Sequence, residues 1–244
     1  MIKYNFKNKI VLVTASSQGI GFGVAKAFHE AGAKVAICSR NDSKLKNSHK
    51  LLSKVDPSQV LSISGDISEI EFLKSLVFDV QDYFKESIDI LVNNSGGPPV
   101  GECSSLSDND WKKAIDANLM SVIRLCSMVL PSMKEKKWGR IINLTSTTAK
   151  EAAVNMSLSN VTRAGVVAFS KTLSQEVGKN GITVNSILTG GCLTERFYSL
   201  VDAQIKKSGE SMEKAIKQLS QNIPVGYFPN PDEFSKMILF LKDI

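Results

Sequence analysis

Short runs of apolar and β-branched residues alternate along the chain with longer amphipathic stretches. The runs fall at 10–14, 34–38, 60–63, 88–93, 140–144 and 183–188. Helical periodicity covers 20–31, 42–54, 68–85, 108–137 and 155–179 between them. Continuous apolar strands separated by helices predict βαβ units and a parallel sheet covered on both faces. The expected fold class is α/β, a doubly wound parallel sheet in three α/β/α layers. Beyond residue 195 the pattern turns helical, with a polar segment before IPVGYFPNPDEFSKMILFL. No repeat or linker interrupts the chain, so 1–244 reads as a single domain.

One helix raises a question of its own. In SLSNVTRAGVVAFSKTL, residues 157–173, the apolar residues Val161, Ala164, Val167, Ala168 and Phe169 recur at helical spacing and predict one buried stripe. Ser159 and Arg163 stand four residues apart and so share a helical surface. Taken alone, most such pairs are solvated or packing features.

Composition narrows the function classes. A chain of 244 residues buries about 70–75% of its unfolded surface as one domain. Its 43% hydrophobic and 22% charged content is ordinary for a soluble globular protein. The net charge of +6 hints at nucleic acid or an anionic ligand, but the Lys and Arg residues are scattered. The densest run, Lys134, Lys136 and Lys137, reads as a solvated helix end. No nucleic-acid partner is expected. Cys38, Cys103, Cys126 and Cys192 have no metal-ligand spacing and predict reduced thiols and no metal. His29 and His49, in helical stretches, are expected at the surface. IVLV is too short for a signal peptide, and no apolar run approaches the ~20 residues of a membrane span. A soluble, cytoplasmic chain is therefore expected.

The chemistry begins in the turn after the first run, VTASSQGIGFG. Small residues between a strand and a helix let backbone amides approach phosphate oxygens, where the helix dipole favours anions. Gly19, Gly21 and Gly23 miss the G-x-G-x-x-G spacing. What stands there is Thr14, four residues, then Gly19, Ile20 and Gly21, with hydroxyls at Ser16 and Ser17. A tight packing turn without a ligand is the plainer alternative.

That turn resembles the T-G-x-x-x-G-I-G turn of the short-chain dehydrogenases/reductases, with Ala15 at the first glycine. Other segments resemble the family in the same order along almost the whole chain. Asp66 in SGDIS, beside Ile67, matches the acid that holds the adenine amino group. NNSG resembles N-N-A-G, where the asparagine (Asn93) ties strands together and the glycine (Gly96, next to Ser95) faces the cofactor. Asn118 in DANLMSV matches the asparagine that supports an ordered water, and GRIINLTS places Ser146 at the active-site serine. VNSILTGGCLTER resembles V-N-x-I-x-P-G-x-x-x-T, with Thr189 for the proline, then Gly190, and Thr194 at the cofactor-contacting threonine. NIPVGYFPNPDEF resembles I-P-x-G-R-x-x-x-P-E-E.

The resemblance implies a Rossmann-like sheet of order 3-2-1-4-5-6 and a nicotinamide cofactor. Thr14, Ser16, Ser17, Gln18, Gly19, Ile20 and Gly21 complete the expected cofactor set, with Arg163 beneath it. The second run ends at Ser39 and Arg40 without an acid at its tip. Guanidinium and hydroxyl suit a 2′-phosphate, which favours NADP(H) over NAD(H). Asp42 stands as the counter-argument, because it could pair with Arg40.

In the family, tyrosine follows the serine by thirteen residues and lysine comes four later. Here those positions hold Ser159 and Arg163. No shift of alignment helps: four residues beyond Tyr4, Tyr83, Tyr198 and Tyr227 stand Asn8, Ser87, Asp202 and Pro231. The resemblance then sits nearest an atypical subgroup beside the 3-oxoacyl carrier-protein reductases. Three readings follow. The first is an oxidoreductase for a carbonyl or alcohol substrate that uses Ser146, Ser159, Asn118 and Arg163, with water as proton donor. The second is a dinucleotide-binding sensor or scaffold. The third is an enzyme for an acidic substrate, clamped by Arg163, with a residue such as Tyr198 completing the site. Segment 195–225 is expected to cover the substrate. The family's seventh strand is missing from the pattern, yet the helices at 108–137 and 155–179 resemble its dimer surface, so a homo-oligomer, dimer or tetramer, is expected.

Overall fold

The computed structural model describes residues 4–54 and 56–241. Six strands form one parallel sheet: β1 (Ile10–Val13), β2 (Lys34–Ser39), β3 (Val60–Ser64), β4 (Ile90–Asn93), β5 (Gly139–Leu144) and β6 (Ile182–Ile187). Their order is β3-β2-β1-β4-β5-β6, as the resemblance implies. The order reverses between β1 and β4, where Val11 to Val13 pair with Ile90 to Val92. Ligands of open α/β sheets bind beyond the carboxyl ends of the strands at such a reversal.

Two apolar layers hold the sheet. On one face α3 (Ile70–Phe84) and α5 (Ser121–Lys136) bury Leu73, Leu76, Leu125 and Val129 against Leu12 and Leu91. On the other, α1 (Gly19–Glu30), α2 (Asp42–Leu52) and α9 (Pro231–Phe240) bury Val24, Phe28, Leu45 and Ile238 against Val11, Val13 and Ile37. β-branched residues alternate toward both layers, which is why the strands read as unbroken apolar runs.

Most expected elements form with small shifts at their ends. The run at 88–93 starts pairing only at Ile90, because the Asp89 carboxylate turns back to accept the Ile10 amide at 3.0 Å. Thr14 falls outside β1.

Three expectations are corrected. The helix at 108–137 is not uniform: α4 (Asp108–Ile115) passes through a π-helical turn, Asp116–Met120, before α5. The helical run Asp108–Lys136 is 29 residues with a mean hydropathy of 1.3 over its best window, so it meets the length and composition of a membrane span, contrary to the sequence reading. Its apolar side supplies the core through Val122, Leu125, Cys126, Val129 and Met133. Second, His29 is buried, with Nδ1 3.4 Å from the Ala33 carbonyl.

The third correction bears on function. In α6 (Ser157–Val177) the expected stripe of Val161, Ala164 and Ala168 faces outward, with Val161 52% exposed, and Val167 and Phe169 are half-buried. Ser159, Thr162, Arg163 and Ser170 are buried instead, alongside Leu158, Val166 and Leu173. The helix therefore turns a polar face inward. That face is the floor of the site.

Candidate active site

A cleft of about 1400 Å³ runs along the carboxyl edge of the sheet, from the turn after β1 to the start of α6. It exceeds the ~300–1,000 Å³ typical of small-ligand pockets. Ser17, Gln18, Gly19, Ile20, Ser39 and Arg40 line one half. Ser95, Gly96, Asn118, Ser146, Ser159 and Arg163 line the other, and Asp66, Ile67, Thr189, Gly190 and Thr194 edge it.

Four expected contacts lie behind the wall instead. Thr14 Oγ1 donates to the Asn94 carbonyl at 2.6 Å and accepts the Asn94 amide at 2.9 Å, pinning the exits of β1 and β4 together. Ser16 Oγ donates to the Val13 carbonyl at 2.6 Å and is fully buried. Gly21 packs where a Cβ would come within 2.6 Å of Asn94 Nδ2 and 2.7 Å of the Ala15 carbonyl. Asn93 donates to Asn143 Oδ1 at 2.8 Å, and Asn143 donates to Ser170 Oγ at 2.8 Å, tying β4, β5 and α6. These residues shape the site from beneath.

The turn itself is strained. Ala15 adopts φ 46°, in the left-handed region that favours glycine. Gly19 adopts φ 58° and opens α1, whose N-cap Gln18 makes no side-chain capping bond. The first-turn amides of α1 therefore face the cleft without a side-chain acceptor, a geometry that suits a pyrophosphate.

At the tip of β2, Ser17 Oγ donates to Ser39 Oγ at 2.8 Å, and Ser39 Oγ also accepts the Asn41 amide at 3.3 Å. Arg40, 75% exposed at its side chain, pairs with Asp66 at 3.5 Å. Asp42 pairs instead with Lys46 at 2.7 Å, and Asn41 rather than Asp42 caps α2 by accepting the Lys44 amide. The acid that meets Arg40 is therefore Asp66 and not Asp42. Asp66 also accepts the Ser68 amide and hydroxyl through Oδ1, at 3.0 and 2.9 Å.

Sequence reasoning missed Lys44. Its Nζ donates to Gln18 Oε1 at 2.6 Å and to Glu195 Oε2 at 2.7 Å, joining the first turn, α2 and the start of α7 (Glu195–Ser208). The hydrogen bond and charge of Lys44 hold the Glu195 carboxyl below its usual range. Only the helical spacing of Lys44 was legible, and that alone does not reveal a bridge 151 residues long in sequence.

The floor of the other half is polar and connected. The π turn at Asp116–Met120 displaces the helical ladder, and Asn118 Nδ2 donates to the Ala114 carbonyl at 3.1 Å to fill the gap. Asn118 Oδ1 accepts from Ser95 Oγ at 2.9 Å. Ser146 Oγ accepts the Thr148 amide at 3.2 Å, and Thr148 Oγ1 lies 3.2 Å from Ser159 Oγ. Arg163 Nη1 donates to the Leu144 carbonyl at 3.2 Å and Nη2 to the Ser95 carbonyl at 3.4 Å, spanning the ends of β5 and β4. Arg163 is 6% exposed, and burial lowers its guanidinium to about 10. It stays a cation at neutral pH.

Thr189 and Thr194 also hold the frame. Thr189 Oγ1 donates to the Thr145 carbonyl at 2.7 Å, a bond that a proline could not make. Thr194 caps α7 by accepting the Phe197 amide at 3.2 Å. Tyr198 does not line the cleft; its ring meets Phe197 edge-on at 5.8 Å.

A doubly wound sheet with its cleft at the β1/β4 reversal places the protein in the Rossmann-like class. Within that class, the chain belongs to the short-chain dehydrogenase family, whose model matches residues 9–205. It is 32% identical over 236 residues to a 3-oxoacyl-acyl-carrier-protein reductase of Chlamydia muridarum, covering 96% of this chain and 90% of that one. It is also 32% identical over 234 residues to a D-beta-hydroxybutyrate dehydrogenase of Cupriavidus necator, with 96% and 90% covered. Among solved structures, L-sorbose reductase from Gluconobacter frateurii, complexed with NADPH and L-sorbose, matches with a TM-score of 0.92 at 28% identity, over 99% of this chain and 92% of that one. An actinorhodin polyketide ketoreductase with NADPH matches with a TM-score of 0.89 at 29% identity, over 96% and 89%.

Proposed function

We propose that the protein is an NADP(H)-dependent oxidoreductase acting on a carbonyl or alcohol substrate through a non-standard site. One observation carries this reading: Ser146, Ser159 and Arg163 converge on one half of a cleft whose other half is a phosphate-shaped turn. The resident nicotinamide would supply or accept hydride. The α1 amides would hold its pyrophosphate, and Ser39, Arg40 and Lys44 its 2′-phosphate; the NADPH complexes of the related reductases agree with this.

Reduction of a carbonyl builds negative charge on oxygen. Hydroxyls of Ser146 and Ser159 are placed to donate to that oxygen, and Thr148 orients both. Arg163 adds a fixed positive charge beneath, where the low dielectric strengthens it. Neither serine is acidic enough to serve as a phenol would, and arginine does not shuttle protons. The proton is therefore delivered by water, reached through the Asn118 and Ser95 pair. Segment 195–225, with α7 and α8 (Met212–Ser220), covers the substrate, all within a single domain.

A second reading keeps one observation of its own. Both Arg163 Nη atoms are bonded to main-chain carbonyls, which would equally suit a fixed strut in a dinucleotide-binding sensor. The outward apolar residues of α6 support assembly as a homo-oligomer.

The test has two stages. NADPH and NADH are titrated by nicotinamide fluorescence, then loss of reduced-nicotinamide absorbance is followed with a panel of ketones, sugars and 3-oxoacyl thioesters. Turnover that falls on Ser146→Ala supports the first reading; binding without turnover supports the second.

A further inference from the structure

The half of the cleft expected to hold substrate is lined by three cations, Arg163, Arg196 and Lys113. None of them lies within 4.0 Å of a carboxylate oxygen among the described residues. The acid on that wall, Asp110, is a capping-box residue that accepts the Ser107 amide at 3.0 Å and the Ser107 hydroxyl at 2.6 Å. These bonds and, to a smaller extent, the charge of Lys113 hold its carboxyl below the usual range, so among the described residues Arg163 and Arg196 are the two cations of the cleft half without an acidic partner.

Arg163 is the informative member. Two of its nitrogens donate to neutral carbonyls, and its buried Nε has no acceptor. A buried ion without a counter-charge carries a large desolvation cost, and an unmet N–H adds to it. Arg196, at the start of α7, reaches across the cleft and donates from Nη2 to the Pro98 carbonyl at 3.0 Å. Its guanidinium lies over Gly97, where a Cβ would sit 3.4 Å from Nε and Nη2. Among the described residues its Nε and Nη1 make no hydrogen bond and keep donors for a ligand.

The dinucleotide does not supply the missing charge. On the reading above, its phosphates lie at the α1 turn and the β2 tip, at the other end of the cleft. An oxidised nicotinamide ring would add positive charge beside Arg163.

We propose that the substrate is an anion: a short oxo or hydroxy acid whose carboxylate is held by Arg196 and Arg163, with Lys113 nearby, and whose carbonyl faces Ser146 and Ser159. The planar guanidinium fork matches a carboxylate in two-point contact. In the reductive direction NADPH would supply the hydride for the new C–H bond, the C=O π pair would move to oxygen, and water would give that oxygen its proton and leave as hydroxide. The oxo acid becomes a hydroxy acid and NADPH becomes NADP+. This inference rests on the oxidoreductase reading for its chemistry, but not for its binding.

The probe is acetoacetate against its neutral methyl ester. Each is titrated calorimetrically into the protein saturated with NADP+, where the oxo acid cannot turn over, and in parallel into the protein alone. Acetoacetate should bind at least about tenfold more tightly than the ester, as expected for charge-assisted hydrogen bonds. The preference should weaken with added salt. Arg196→Gln with Lys113→Gln should remove most of it, with an unchanged circular dichroism spectrum confirming the fold. Equal binding of acid and ester, or a preference that survives the double substitution, overturns the proposal. Acid-selective binding with no turnover from NADPH sinks the oxidoreductase reading alone. Turnover of neutral ketones with no acid preference sinks the anion site alone.

Discussion

Ser159 Oγ lies 3.2 Å from Thr148 Oγ1, and the amide of that same Thr148 donates to Ser146 Oγ. One threonine therefore orients the two hydroxyls that would face a developing oxyanion. Removing a preorganised donor of this kind typically costs ~10²–10³ in kcat. Ser146→Ala and Ser159→Ala are expected to lower kcat by about that factor with little change in KM. Thr148→Val should lower it less, about tenfold, since only the orientation is lost. Steady-state kinetics with one accepted substrate checks all three.

Restoring a phenol and an ammonium should raise turnover. On the function proposed above, Ser159 and Arg163 stand where the resemblance implies tyrosine and lysine, and both line the cleft. Ser159→Tyr with Arg163→Lys is expected to increase kcat by roughly 10²–10⁴, the usual worth of a positioned acid. Ser159→Tyr alone should gain less, because no lysine is present to lower the phenol pKa.

Arg163 sets an alkaline limit. Its guanidinium, lowered by burial, titrates at about 10. The protonated form is the useful one, so kcat/KM should stay level through neutral pH and fall as pH rises through about 10. Stability should move the other way. Above about 10 the unfolded chain, with its ordinary, higher arginine pKa, still holds the proton that the folded one has lost, so this group favours folding as pH rises through that region. The pH profile of Arg163→Met should lack the alkaline limb.

The strained turn predicts a stability gain. Ala15 holds φ 46°, at a cost for a non-glycine residue of about 1–2 kcal/mol, against about 0.4–1 kcal/mol of added unfolded-state entropy for glycine. Ala15→Gly should therefore raise the unfolding free energy by up to about 1.6 kcal/mol in urea denaturation.

These predictions draw on two kinds of information. The alternation of strands and helices and the glycine turn were legible in the pattern, because parallel strands and tight turns impose composition directly, while the strand order and the spacing from Ser146 to Arg163 came from the family resemblance. The inward face of α6 was not. Its apolar residues Val161, Ala164 and Ala168 point out while Ser159, Thr162 and Arg163 point in, so periodicity located the helix and misread its sides. The π turn was also hidden, since Asn118 satisfies a main-chain carbonyl that only the folded helix leaves free. Thr14 and Ser16 resemble cofactor contacts in sequence, yet their hydroxyls are spent on main-chain groups at the exits of β1, β2 and β4.

The outward stripe on α6 gives a test of assembly. A homo-oligomer would bury Val161, now 52% exposed, together with Ala164 and Ala168. Val161→Arg should shift the sedimentation coefficient to that of a monomer. A wild-type protein that already sediments as a 26.6 kDa species would contradict the assembly.

The most direct test is a paired titration of NADPH and NADH at fixed ionic strength, on wild type and on Arg40→Ala with Lys44→Ala. The account predicts tighter binding of NADPH in the wild type, with the double substitution weakening NADPH by more than about tenfold and leaving NADH nearly unchanged. Binding of neither nucleotide, or an equal affinity for both, would contradict it.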